Sequence, residues 1–131
     1  MPADLPQRPT AFVTLFEEMQ LMFDSFRVTG ERKLPAWKPD IDFLEDAEKF
    51  YVLVEVPGIP PDKIEVSSSE RKLEIRGIRQ PPSIHLGAYH HHVERHYGLF
   101  ERKIMLPSSI DPVRVSTELK DGVLTIVLPK K

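Results

Sequence analysis

From Asp40 onward, apolar and polar residues alternate in short segments along the chain. A period of two is typical of strands with one buried face, as in segment 50–56, where Phe50, Val52 and Val54 share a face. The pattern predicts strands at 41–44, 50–56, 63–67, 72–76, 99–106, 113–119 and 123–128, and a more polar one near 89–95. Strands of this kind bury their apolar faces against one another, which predicts an all-β, immunoglobulin-like antiparallel β-sandwich.

A two-residue turn is predicted between the last two segments. Asp121 and Gly122 separate them, and both residue types tolerate the positive φ angles of a tight hairpin. The final two strands are therefore predicted to be hairpin neighbours.

The N-terminal part has a different periodicity, because apolar residues recur there every three or four positions. This spacing predicts an amphipathic helix at about 10–27, followed by Gly30 and Pro35, which do not continue a helix. Its apolar stripe consists of Phe12, Leu15, Phe16, Met19, Met22, Phe23 and Phe26. Periodicity alone leaves two interpretations open, a helix packed into a core and a free arm. A membrane-surface helix is disfavoured because the polar face is acidic.

We divide the chain into an N-terminal arm and linker, residues 1–38, and a β domain, residues 39–131. Within the β domain, segment 77–98 is too long and too polar for a simple connection. A polar strand can still add backbone hydrogen bonds to an exposed sheet edge. That edge could belong to a second copy, which predicts a homodimer formed by strand exchange.

Composition narrows the class of protein. The 18 Lys and Arg residues against 20 Asp and Glu residues give a net charge of −2, which argues against nucleic acid as a partner. The chain has no cysteine and no apolar run long enough to cross a membrane. We therefore expect a soluble cytoplasmic protein.

Sequence motifs for catalysis are not found. The phosphate-binding glycine loops and the nucleophile elbow are missing, so we expect no enzyme activity, no catalytic residue and no cofactor. All five histidines lie in 85–96. His90, His92 and His96 would share a face on a strand and are weak candidates for metal ligands. A solvated polar strand explains them equally well.

Several motifs together resemble the α-crystallin domain of the small heat-shock proteins, over residues 39–130. The matching stretches are PDI at 39–41, VEVPG at 54–58, LEIRG at 73–77, ERHYGLFER at 94–102, LP at 106–107 and LKDGVLTI at 119–126. The long loop before Glu94 is similar to that of the bacterial, archaeal and plant branch, whose members exchange this strand between subunits.

The resemblance implies an ATP-independent holdase, which binds partly unfolded client proteins, prevents their aggregation and passes them to ATP-driven chaperones. It implies that the apolar stripe at 12–26 binds clients. It also implies an apolar groove lined by Ile64, Val66, Val115 and Thr117. Strand 89–95 would pair with 41–44 of the partner, and Arg102 would form an ion pair across the interface. The implied dimer interface comprises Ile41, Asp42, Phe43, Tyr89, His90, His91, His92, Val93, Glu94, Arg95 and Arg102.

Two features depart from the family pattern. Thr117 stands where the family has alanine, and the chain ends at Lys131 without the C-terminal I-x-I/V extension. We therefore expect the groove to be open and the assembly to be a dimer or small oligomer. Two alternatives remain, a co-chaperone-like binding module of the CS-domain type and a metal- or pH-responsive protein acting through 85–96.

Overall fold

The computed structural model describes residues 37–131, which form two antiparallel sheets. The strands are β1 (Ile41–Glu45), β2 (Lys49–Glu55), β3 (Ile64–Ser69), β4 (Lys72–Arg79), β5 (Gly98–Met105), β6 (Ser116–Lys120) and β7 (Val123–Pro129). One sheet has the order β1-β2-β7-β6, and the other has the order β3-β4-β5. The predicted helix at 10–27 and its apolar stripe lie outside the described residues.

The core lies between the two sheets and follows from the period-two pattern. In β2, Phe50, Val52 and Val54 are fully buried, and Leu124 and Ile126 of β7 face them from the adjacent strand. Leu73, Ile75 and Phe100 contribute the opposite layer from the smaller sheet. The predicted all-β sandwich is confirmed. Within residues 37–131, no helix is long and apolar enough to span a membrane.

The predicted hairpin between β6 and β7 is present. Lys120 pairs with Val123, and the two residues between them, Asp121 and Gly122, have φ angles of 52° and 77°. Positive φ at both positions is the requirement of the tight hairpin turn.

One of the strand predictions is wrong in detail, and another, at 89–95, needs a second chain and stays a prediction. Segment 113–119 becomes a strand only at Ser116, because the 3-10 helix Pro112–Arg114 precedes it and the Asp111 side chain accepts a hydrogen bond from the Val113 N–H at 3.2 Å. Segment 89–95 forms no strand in this chain, where residues 88–96 are all exposed. A strand needs a hydrogen-bonding neighbour, and the described part of the chain does not supply one here.

The contact between Gly77 and Phe100 provides a test of the packing. A Cβ atom at Gly77 would lie 2.3 Å from the Phe100 ring and 2.5 Å from the Lys63 carbonyl oxygen. We expect Gly77→Ala to lower the free energy of unfolding by about 1–3 kcal/mol, because the crowded atoms include backbone that cannot move away. Urea unfolding measures this change.

Gly87→Ala is the matched control, since no atom lies within 4 Å of its added Cβ and its φ is negative. Its effect should stay within about 0.5 kcal/mol. Equal effects of the two substitutions would contradict the packing described here.

Candidate functional site

Strand β1 forms one edge of the four-stranded sheet. It pairs with β2 on one side, with Phe43 opposite Val52. Opposite residues share a face of the sheet, so Phe43 lies on the same side as the core residue Val52. Its ring is 5.6 Å from that of Phe50, yet 40% of the side chain remains exposed. The edge of β1 is thus an incompletely covered rim of the core.

The backbone of β1 presents hydrogen-bonding groups outward. The Glu55 N–H donates to the Asp40 carbonyl at 3.0 Å. Hydrogen-bonded and non-hydrogen-bonded residue pairs alternate in an antiparallel ladder. The backbone N–H and C=O groups of Asp42 and Leu44 therefore also face β2. The N–H and C=O groups of Ile41 and Phe43 therefore face away from the sheet, where a further strand could bind.

The connection between β4 and β5 carries exposed apolar side chains. Apart from the 3-10 helix Ser83–Leu86, it is irregular between β4 and β5. Leu86 is 91% exposed, and Ile84, Tyr89 and Val93 are also exposed. Large apolar residues on a solvated loop indicate a surface that binds another chain. The predicted interface residues Tyr89, His90, His91, His92, Val93, Glu94 and Arg95 all lie in this exposed segment.

Both ends of this loop are held by a contact between Trp37 and Arg79. The Arg79 guanidinium lies 4.3 Å above the Trp37 ring and donates to the carbonyls of Pro57 at 2.8 Å and His96 at 3.1 Å. The Trp37 indole N–H donates to the Gly98 carbonyl at 3.0 Å. Burial and the nearby Arg95 charge lower the pKa of Arg79. We call this contact the Trp37–Arg79 clamp.

Arg102 lies at the side of the sandwich where β5 approaches the start of β1. It is opposite the core residue Ile75, and its guanidinium donates to the Pro39 carbonyl at 3.2 Å. Among residues 37–131 it forms no ion pair. Its predicted ion pair with a partner subunit stays a prediction.

The residues predicted to line a groove lie on the edge strand of each sheet. Ile64 and Val66 belong to β3, and Thr117 belongs to β6, with Val115 immediately before it. All four side chains are less than a tenth exposed. These side chains pack at the rim of the sandwich, and the expected open groove stays a prediction. Their role in binding a tail or client stays a prediction.

The histidines do not converge in the structure. His85 and His90 have ring centroids 4.9 Å apart, and His96 stacks on Trp37 at 6.1 Å. In the part of the chain that is described, no three His, Asp or Glu side chains are arranged to hold a metal ion. His90, His92 and His96 are thus not brought together in this chain.

A buried carboxylate that the sequence pattern did not single out is Glu65 on β3. It faces away from the sandwich core, yet it is only 4% exposed, and its Oε2 atom has no hydrogen-bond partner. Burial raises the pKa of Glu65 to about 7, although the charge of Arg76 acts in the opposite direction.

Comparison with known proteins identifies the family of this domain. The Hsp20/alpha crystallin family profile matches residues 42–131. The chain belongs to this family. Among similar proteins, small heat shock protein C4 of Rickettsia felis is 36% identical over 93 residues, which are 71% of this chain and 57% of that protein. The 22.7 kDa class IV heat shock protein of Pisum sativum is 36% identical over 69% of this chain and 46% of its own length. The chain therefore spans about half the length of these curated relatives.

Solved structures of family members agree with the architecture. Heat shock protein 16.0 from Schizosaccharomyces pombe superposes with a TM-score of 0.67 at 31% identity, covering 72% of this chain and 87% of that one. The hspA protein from Xanthomonas axonopodis gives a TM-score of 0.65 at 36% identity, covering 72% and 95%. The resemblance recognised in the sequence is confirmed.

The Trp37–Arg79 clamp of this Hsp20-family chain can be tested by substitution. We expect Arg79→Met to lower the free energy of unfolding by about 1–3 kcal/mol, because two carbonyls lose their donor. Hydrogen exchange in residues 80–97 should become faster. Unfolding is followed through the fluorescence of Trp37, which is the only tryptophan.

Arg114→Met is the control, because Arg114 is exposed on the other side of the fold. It should leave both readouts unchanged. Unaltered exchange in Arg79→Met would show that the clamp does not hold the loop.

Proposed function

We propose that this protein is an ATP-independent chaperone that binds partly unfolded proteins and acts as a strand-exchanged homodimer. The observation that carries the proposal is the combination of an outward-facing β1 edge and an exposed apolar loop in a domain of the Hsp20/alpha crystallin family. The protein is in this view a binding protein rather than an enzyme, and it needs no cofactor.

The loop and the edge have complementary requirements. Within residues 37–131, the backbone groups of 89–95 have no backbone partner, and β1 has outward N–H and C=O groups at Ile41 and Phe43. If the loop of each copy paired with β1 of the other, the backbone groups of both segments would be hydrogen-bonded. Each hydrogen bond would stabilise the dimer by about 0.5–1.5 kcal/mol. Val93 and Tyr89 would also cover the exposed rim at Phe43. Because each copy gives one loop and accepts one, the assembly has two-fold symmetry.

The Trp37–Arg79 clamp supports exchange rather than a loop that folds back. It fixes residues 79 and 96–98 against the sandwich while the intervening segment stays exposed. A loop anchored at its base loses less entropy when it binds a partner than a loop that is free at both ends. Arg102, near the start of β1, would then lie beside the incoming segment and pair with an acidic residue of the partner.

The apolar stripe of the N-terminal arm is the proposed client-binding surface. Phe and Met side chains bind irregular apolar surfaces because they are large and, in the case of Met, flexible. Apolar burial contributes about 25 cal/mol per Å² without directional requirements, which suits clients of varied sequence. Bound clients would be released to ATP-driven chaperones, and we place this activity in the cytoplasm.

Proline substitution at Phe43 tests the exchanged strand. We expect Phe43→Pro to weaken dimerisation by at least about tenfold, because it removes an outward N–H and places a ring where the added strand must bind. The ladder with β2 should survive, since this N–H does not face β2. The dimer dissociation constant is measured by analytical ultracentrifugation of the full chain.

Phe43→Ala is the matched control, because it loses the same ring but keeps the N–H. Equal dissociation constants for the two variants would contradict pairing at this edge. A monomeric parent protein would favour a single-domain binding module of the CS-domain type instead.

Suppression of aggregation tests the chaperone proposal. The full chain, at a several-fold molar excess and without ATP, should prevent light scattering by a heated model enzyme. Replacing Phe16, Met19 and Phe23 with serine should raise the concentration needed by roughly tenfold, because apolar contact area is lost. Replacing Glu17, Glu18 and Asp24 with serine is the matched control and should have little effect. Failure of the parent chain to suppress aggregation would refute the proposal.

A further inference from the structure

Strand β3 is an edge strand of the smaller sheet and has few apolar contacts. Among residues 37–131 it pairs only with β4, so a single ladder of backbone hydrogen bonds holds it there. Ile64 and Val66 pack into the core, but Ser68 occupies the next inward position, opposite Leu73. An edge strand that buries so little apolar surface separates from its sheet at a lower cost than a central strand.

A buried carboxyl lies between the two apolar residues that anchor this strand. Glu65 faces away from the core and is 4% exposed, and its Oε2 atom has no hydrogen-bond partner. Within residues 37–131 it forms no ion pair. An ionised carboxyl without a partner is costly to keep out of water, so the packed position of β3 favours the protonated form of Glu65.

The charged groups that face Glu65 from the neighbouring strands are bound to one another. Its cross-strand neighbour Arg76 contacts Glu74 at 3.1 Å and Glu101 at 2.8 Å. Both of those carboxylates also have lysine partners. The other residues of β3 are uncharged. Three carboxyl groups thus surround one arginine, and Glu65 is the one that does not contact its guanidinium.

The pH response of this arrangement has a definite sign. Burial raises the pKa of Glu65 from its ordinary value of 4.5 to about 7, while the charge of Arg76 lowers the pKa and that of Glu74 raises it. If β3 separates and Glu65 reaches water, the carboxyl regains its ordinary pKa. The packed strand therefore binds the proton more tightly than the open strand, and a rise in pH from about 5 to about 7 favours opening. The opening equilibrium constant should increase by about tenfold per pH unit in that range and stay constant above it.

We propose that Glu65 is a proton-sensitive latch on β3: the protonated carboxyl keeps the strand packed, and its ionisation lets the strand open. Opening would expose Ile64 and Val66, the two predicted groove residues on β3, which are 1% and 3% exposed in the packed strand. The inference goes beyond the proposed function, because it concerns the β domain by itself and does not require that the protein bind clients.

The titration of Glu65 in the full chain is the first test. Carbon-13 NMR of labelled carboxyl groups follows each glutamate separately, and Glu65→Gln assigns the Glu65 signal by removing it. We expect this signal to titrate with a midpoint near pH 7. A midpoint at the ordinary value of 4.5 would show that the carboxyl is not shielded from water and would overturn the proposal.

Amide hydrogen exchange in the full chain measures the opening of β3. After correction for the pH dependence of free amides, the amides of 64–69 should lose protection by about tenfold per pH unit between about pH 5 and 7. Glu65→Gln keeps the shape of the side chain but cannot ionise, so its protection should stay constant. Glu118→Gln is the matched control, because Glu118 is exposed on β6, an edge strand of the other sheet. This control should keep the pH profile of the parent.

Two results of the exchange experiment would contradict the latch. A loss of protection in Glu65→Gln as large as that of the parent would assign the pH response to another group. Equal protection of β3 and the central strand β2 would show that β3 separates only when the whole domain unfolds. Aggregation assays on the same variants keep this test separate from the proposed function, since a chain that suppresses aggregation without this pH response contradicts the latch alone.

Discussion

The outer hydrogen-bonding edge of β1, which no strand of residues 37–131 fills, is the constraint on which the rest of this structure depends. A strand at the edge of a sheet satisfies half of its backbone groups internally and leaves the others to solvent or to another chain. At β1, these outward groups flank Phe43, which completes the core on one side and remains 40% exposed on the other. The sandwich is therefore folded but not fully covered. A short polar segment from a second copy is suited to this position, because it supplies backbone groups without adding apolar bulk.

The clamp links that edge to the loop. Trp37 and Arg79 connect the chain before β1, the end of β4 and the start of β5 at one point. The loop leaves the sandwich from a fixed base, with its apolar side chains in solvent. The base of the proposed exchange loop thus rests on one small cluster of contacts between distant parts of the sequence.

The sequence predicted the features that depend on local periodicity. The alternation in 50–56 and 123–128 identified the central strands, and Asp121-Gly122 identified the hairpin between β6 and β7, because each signal is contained in a few consecutive residues. Pro112–Arg114 was mistaken for a strand because an Asp111 side-chain hydrogen bond outweighed the alternation.

Features set by contacts across the fold could not be predicted in this way. Glu65 lies at an outward-facing position of β3, where the alternation predicts an exposed side chain, yet it is only 4% exposed. The contact between Arg79 and Trp37 joins residues that are far apart in the chain, so no local sequence pattern predicts it. The burial of Val115 and Thr117 likewise depends on how closely the sheet edges approach. The roles of the N-terminal stripe stay predictions.

Disulfide trapping between two different single-cysteine variants tests strand exchange most directly, because the natural chain has no cysteine. One full-length variant carries Phe43→Cys on β1, and the other carries Val93→Cys in the loop, because these two side chains are proposed to share one face of the extended sheet. The account predicts that mixing and mild oxidation give a covalent dimer containing one copy of each variant. If the mixture gives no covalent dimer, and a chain that carries both cysteines forms the disulfide within itself, the loop folds onto its own β1 and the strand-exchanged dimer is ruled out.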